Sequence, residues 1–238
     1  MNNVYLKGVL DAKISNLLTE SDFATFANLS GMDRLNFFIN NELVSTSIVT
    51  NFEALCKLAL SDLKEEVSLY TKNDPLYVNY FFAHDVIKKD QGALRDFYNE
   101  TYEKALQRKE EALVNYLDYT HALLNILTLV RGKKRGDTTA SLLANYLKQG
   151  VLSEETFSAL VNGDTHTIYA YLKNNFNIDA SESESTVELE EKLDEYLFNK
   201  LKILAMDSDF KPTLIYYIKR KQLQIERLRN IVYTKRNG

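Results

Sequence analysis

LLTESDFATFANLSGMDRLNFFINN, residues 17–41, and VLSEETFSALVNGDTHTIYAYLKNN, residues 151–175, can be laid one over the other without a gap. Leu18/Leu152, Glu20/Glu154, Phe23/Phe157, Asn28/Asn162, Asn40/Asn174 and Asn41/Asn175 are identical, each pair 134 positions apart. Amphipathic helices share an apolar spacing and can match by chance. The double Asn ending and the order of the surrounding elements favour a helical unit copied once. The two prolines of the chain agree with this: DPLYVNYFFAHDVIKKD holds Pro75, KPTLIYYIKRKQLQIERLR holds Pro212, and their separation of 137 needs only a small gap. Proline lacks an amide hydrogen and has φ fixed near the helical value, so both read as helix starts.

Outward from the repeat, apolar residues recur at three- and four-residue steps almost everywhere. Tyr5, Leu6, Val9, Leu10, Ile14, Leu17 and Leu18 predict a helix over most of residues 4–18. Thr19 and Ser30 can accept from the free amides of a following turn, which predicts short helices Glu20–Asn28 and Met32–Asn40. A helix over Phe52–Tyr70 and the one begun at Pro75 follow. Gly92–Arg131 is one rod of about 60 Å or two helices meeting near Gln107–Glu110. GKKRGD, Gly132–Asp137, reads as a charged loop. A helix Thr139–Lys148 closed by Gly150 comes next. ASESES, Ala180–Ser185, is a small acidic surface loop, and Val187–Asp207 and Thr213–Lys235 are a last antiparallel pair. The first of these is acidic and the second basic, so they are expected to attract across their exposed edges. No segment asks to be a central strand. The expected fold is all-α with internally repeated helical lobes: residues 1–90 a first lobe, 91–137 a long helical connector or reduced middle lobe, and 138–238 a last lobe repeating the first.

The 238 residues suffice for one large domain or two modest ones. Gly (8) and Pro (2) are scarce, which favours long helices over hairpins. A net charge of −4 gives no general attraction to nucleic acid or anionic lipid. The lone Cys56 cannot form an internal disulfide, and MNNVYLKGVLDAK lacks a long apolar core and a cleavage site, so an intracellular address is expected. No run approaches the ~20 apolar residues of a membrane span.

Candidate chemistry is thin. His84, His121 and His166 stand apart, as isolated surface or half-buried histidines, and no cofactor or metal is expected. GKKRGDTT is not a phosphate loop, because Lys133 is followed by Lys134 and the preceding segment is helical. Glu65/Glu66, Glu110/Glu111 and Glu190/Glu191 are neighbours that point about 100° apart on a helix, so they read as solvated faces. The basic terminal helix, with Tyr216, Tyr217 and Tyr233 interleaved, has the ingredients for nucleic acid. Its charge is better matched by carboxylates of the chain itself or of an acidic partner.

Three stretches carry a resemblance: YYIKRKQLQIERLRNIVYTKRNG (Tyr216–Gly238), NILTLVRGKKRG (Asn125–Gly136) and KQGVLSEETFSALVNG (Lys148–Gly163). In order and spacing they resemble the C-type subunits of the V-type (A/V-type) ATP synthases, which are related to the d-type subunits of vacuolar ATPases. The resemblance implies a funnel of three similar helical lobes. It further implies a non-catalytic central-stalk role, in which the protein couples shaft subunits of the D/F type to the membrane rotor ring. It needs no cofactor, no nucleic acid and no span, and places the protein at the cytoplasmic face of the membrane. The chain departs from the pattern where Lys88–Glu110 is short for a full middle lobe. Asn125, Arg131, Tyr216, Glu226 and Arg229 match family positions, and would either contact partners or buttress the lobes. The alternative to a stalk subunit is a free-standing helical-repeat adaptor that holds a partner helix or peptide.

Overall fold

The computed structural model describes residues 2–45, 51–82, 91–207 and 209–234. Twelve helices and no strand occur among them: α1 Asn3–Ser15, α2 Glu20–Asn28, α3 Gly31–Asn40, α4 Phe52–Tyr70, α5 Pro75–Phe82, α6 Gln91–Gln107, α7 Glu111–Arg135, α8 Thr139–Ala144, α9 Glu154–Asn162, α10 Thr165–Phe176, α11 Thr186–Asp207 and α12 Phe210–Thr234. The fold is all-α. Contacts divide the chain into two compact units, Met1–Phe82 with Ser208–Gly238, and Ala83–Asp207.

The 134-residue spacing of the aligned stretches recurs in the helix starts. Glu20, Gly31 and Phe52 open α2, α3 and α4; Glu154, Thr165 and Thr186, each 134 positions later, open α9, α10 and α11. Local chemistry sets these starts. Thr19 accepts from the Asp22 amide while Asp22 accepts from the Thr19 amide at 2.7 Å, a closed capping box. Ser153 caps α9 through Thr156, Asp164 caps α10 through Thr167, and Asn51 caps α4 through Ala54. The capping bonds hold the Asp22 and Asp164 carboxyls below the ordinary aspartate value. Ser30 departs from expectation: it stands at the N-cap of α3 but makes no side-chain capping bond. Pro75 opens α5, and Pro212 lies in the first turn of α12, where its missing amide hydrogen costs nothing.

The first unit is built on α12, a helix of 25 residues, or about 37 Å. It packs along α1 and α4 and touches α2. Phe26, Phe37, Phe38 and Phe52 form an aromatic cluster, with Phe26 5.1 Å from Phe37 and Phe38 edge-on to Phe52 at 5.6 Å between ring centroids. Ile225, Leu228 and Val232 of α12 complete that core.

The second unit is built on α7, also 25 residues long. Residues 92–131 are therefore two helices and not one rod: α6 ends at Gln107, Lys109 adopts φ +54°, and α6 packs back on α7. Along the other side of α7 runs α11, with Leu189, Leu193, Leu197 and Leu201 buried at four-residue steps. The loop expected at Gly132–Asp137 is instead the last turns of α7, and only Gly136, at φ +81°, closes it. Gly132 serves packing: a Cβ there would collide with Leu142 Cδ2 of α8. The helix expected over Thr139–Lys148 ends at Ala144, because the backbone beyond it is bound to side chains of α6 and α7.

In α12, Arg227 pairs with Glu20 of α2 and Arg229 with Glu53 of α4; in α11, Glu190 pairs with Arg131 of α7. His84, Lys88, Lys235 and Arg236 lie outside the described residues.

Candidate functional site

NILTLVRGKKRG forms the second half of α7, and four of its polar residues bind distant parts of the unit. Asn125 is 1% exposed; its Nδ2 donates to the Leu147 carbonyl at 2.9 Å, and its Oδ1 accepts from the Leu147 amide at 2.7 Å. An amide that satisfies both polar groups of one backbone residue fixes that residue as a strand partner would. Arg131, half exposed, pairs with Glu190. The Lys133 ammonium donates to the Val161 and Gly163 carbonyls at 2.8 and 2.6 Å, at the end of α9 where carbonyls lack helical partners. Lys134 reaches the Glu184 carbonyl at the start of α11. About two and a half turns of helix thus fasten α9, α11 and the segment before α9.

That segment, 145–152, is a non-helical strap across the α6–α7 hairpin. Arg95 donates to the Ala144 carbonyl at 2.8 Å, Asn99 accepts from the Lys148 amide at 2.9 Å, and Gln149 bonds Glu103. Gly150, at φ +102°, lets the strap approach α7 so closely that a Cβ would stand 2.7 Å from the Asp118 carbonyl oxygen. Beyond the strap, an open groove of about 620 Å³ follows α10 and α11 past Asn175, Asn177, Asp179 and Tyr196.

The closing-helix residues lie on α12 in the first unit. Tyr216 is buried at 8% exposure, Glu226 is exposed, and Arg229 donates to both carboxylate oxygens of Glu53, at 3.1 and 2.8 Å. Tyr233 donates to the same carboxylate at 2.9 Å. Within the second unit the structure brings Asn125 and Arg131 onto one helix; within the first it brings Tyr216, Glu226 and Arg229 onto another.

Sequence reasoning missed other residues of the same kind. Glu66, expected on a solvated face, accepts from the hydroxyls of Tyr70 and Tyr217, each at 2.9 Å, and from the Lys13 ammonium at 2.6 Å. Burial, reinforced by the Glu66 charge, pushes both tyrosines well above the ordinary phenol value. Glu110 is buried as well, so in the first two carboxylate pairs one member turns inward and its neighbour stays exposed, while Glu190 of the third remains half exposed. The 100° step that argued against an acid/base pair carries this signal too. His121 is fully buried and His166 exposed. Gln224, 4% exposed, donates to the Leu18 carbonyl at 3.2 Å. Cys56 is buried, and desolvation pushes its thiol up to about 12, leaving it unreactive at neutral pH.

Among the described residues no group of three or more His, Cys, Asp or Glu is placed to hold a metal ion, and no helix is long and apolar enough to cross a membrane. Each unit has a long helix whose side chains grip the elements around it. Among curated proteins none matches the chain. A family model, ATP synthase (C/AC39) subunit, matches residues 87–238 and so takes in α6 to α12, including both 25-residue helices. The chain belongs to the ATP synthase (C/AC39) subunit family, which marks it as a subunit of a V/A-type ATP synthase.

Proposed function

We propose that this protein is the non-catalytic central-stalk subunit that couples the rotary shaft, subunits of the D/F type, to the membrane rotor ring. In this reading it is peripheral, held at the cytoplasmic face through the complex. The single observation that carries the reading is the family match over residues 87–238, which spans the gripping helices of both units. Torque transfer needs elements that do not bend or slip. A helix satisfies its own backbone hydrogen bonds, and α7 and α12 are fixed against sliding by directional bonds at Asn125, Lys133, Gln224 and Arg229. In this reading the aligned stretches, 17–41 and 151–175, mark a helical unit copied once along the chain.

In this reading Arg131, Glu226 and Arg229 reach the surface and meet the shaft or ring, while Asn125 and Tyr216 buttress from inside. Reconstitution tests it: the protein, mixed with shaft subunits and detergent-solubilised rotor ring, is expected to bind both at once and to restore ion pumping to a complex that hydrolyses ATP without it. Failure to associate with either component overturns the assignment.

A further inference from the structure

His121, the eleventh residue of α7, is completely enclosed and takes no part in the grip just described. Its Nδ1 lies 3.1 Å from the Lys148 carbonyl oxygen of the strap. A carbonyl only accepts, so Nδ1 carries the proton, and Nε2 is a bare acceptor. That Nε2 is buried with no hydrogen-bond partner.

The surroundings explain why it stays neutral. From α6, Tyr98 meets the imidazole edge-on at 5.7 Å and Tyr102 lies tilted at 5.4 Å between centroids. Asp118, one turn earlier on α7, is the nearby carboxylate, but its Oδ1 already accepts from the Tyr102 hydroxyl at 2.6 Å. Glu103 of α6 is engaged by Gln149. The strap contributes the Lys148 carbonyl and the backbone of Gly150, whose Cβ, if present, would lie 3.4 Å from His121 Cβ. A second ring proton would therefore sit in an enclosed site where the neighbouring acceptors are already engaged, at a desolvation cost that burial of a charge always carries.

We propose that His121 is a pH-operated latch: protonation of Nε2 frees the strap, residues 145–152, from the α6–α7 hairpin, and the strap recloses when the proton leaves. Opening gives the imidazolium water to bond, while the amides of Leu147, Lys148 and Val151 lose their partners Asn125, Asn99 and the Asp118 carbonyl. Desolvation holds His121 below its ordinary value of 6.5 in the closed state, outweighing the Lys148 bond and the Asp118 charge, which pull upward. The sign follows from linkage. The open state binds the proton first as pH falls, so the open population rises about tenfold per pH unit below 6.5, levels off beneath the closed-state value, and is pH-independent above 6.5.

Hydrogen–deuterium exchange of the full chain between pH 7.5 and 5, normalised for intrinsic exchange, tests this directly. The strap amides are expected to lose protection below pH 6.5, by up to about tenfold per unit, while α2 and α3 show no such step. His121→Asn keeps a donor near the Nδ1 position and cannot titrate, so its strap profile should be flat. A flat wild-type profile, or the same slope in His121→Asn, overturns the latch. Should that variant fail to fold, histidine NMR on the wild-type chain decides, and an apparent His121 pKa at or above 6.5 rejects the proposal.

Discussion

Glu66 and Lys200 each occupy the fifteenth position of their helix, α4 and α11, and stand 134 residues apart in the repeat. One is an anion and the other a cation, yet both tie a long outer helix to the central helix of their unit through tyrosines. Glu66 accepts from Tyr217 of α12 and from Tyr70. Lys200 lies over the faces of Tyr119 of α7 and Tyr196, 5.4 and 5.6 Å from the centroids. A tyrosine can meet an anion with its hydroxyl and a cation with its ring. The two positions therefore do the same job with opposite charge, which a comparison of residue types alone does not detect.

Other correspondences keep the chemistry as well. The fifteenth residue of each central helix is an amide, Asn125 in α7 and Gln224 in α12, and each holds the backbone that leads into a short helix pair. Near the ends of these helices Arg131 and Arg229 pair with glutamates early in α11 and α4. The units differ in what precedes the short pair: α1 in the first, α8 and the strap in the second.

The largest expected effect breaks a unit outright. Phe26→Ala removes a fully buried ring from the aromatic cluster and is expected to cost about 3–5 kcal/mol in urea unfolding. Phe157→Ala, which strips the ring stacked 4.9 Å from Tyr146 in the second unit, should cost a similar amount. A cost confined to one unit would mean the repeat shares pattern without sharing load.

Next come the amides. Asn125→Leu leaves the Leu147 amide and carbonyl without partners, and is expected to cost about 2–4 kcal/mol. Gln224→Leu loses one bond but also removes an Oε1 that has no hydrogen-bond partner, so its cost should stay below about 1.5 kcal/mol. Equal costs in thermal or urea unfolding would deny that the second unit depends more on its clamp. Glu66→Ala should cost about 2 kcal/mol by loss of charge-assisted bonds from two hydroxyls. Lys200→Ala should cost about 0.5–1 kcal/mol, the range of a part-exposed cation–π contact.

The smallest stability effects are the most informative about function. Arg131→Ala and Arg229→Ala each break a surface pair and should cost less than about 1 kcal/mol, shrinking further in high salt. If either still lowers affinity for shaft or ring tenfold or more, the arginine contacts a partner; if binding is unchanged, it serves its own unit alone.

How far these elements could be read in advance followed the range of the forces that set them. Thr19 and Asp22 are three residues apart, and Phe52–Tyr70 has its cap at Asn51 and its stripe within itself, so both were legible. Gly132–Asp137 was not, because the ligands of Lys133 and Lys134 lie 28 to 50 residues away. Without those carbonyls, two glycines around three cations describe a loop. The early end of α8 is a similar case, since the amides of Leu147 and Lys148 leave the helix for Asn125 and Asn99. Among the candidate residues, Asn125, Arg131 and Arg229 were picked out by family pattern, and their geometry gives each a partner within its own unit. Glu66 and His121 were passed over because a lone charge or imidazole on a helix reads as solvated until the facing helix is known.

The division of the chain has a consequence for biosynthesis. The first unit takes its opening segment from residues up to Phe82 and its central helix from beyond Ser208. A ribosome therefore delivers Phe26, Phe38 and Leu55 long before Ile225, Leu228 and Val232, which close the core around them. The second unit, contiguous in the chain, can complete its packing while α12 is still unmade. Until then the side of the phenylalanine cluster that Ile225, Leu228 and Val232 cover stays open, an exposure during translation that the contiguous second unit does not share.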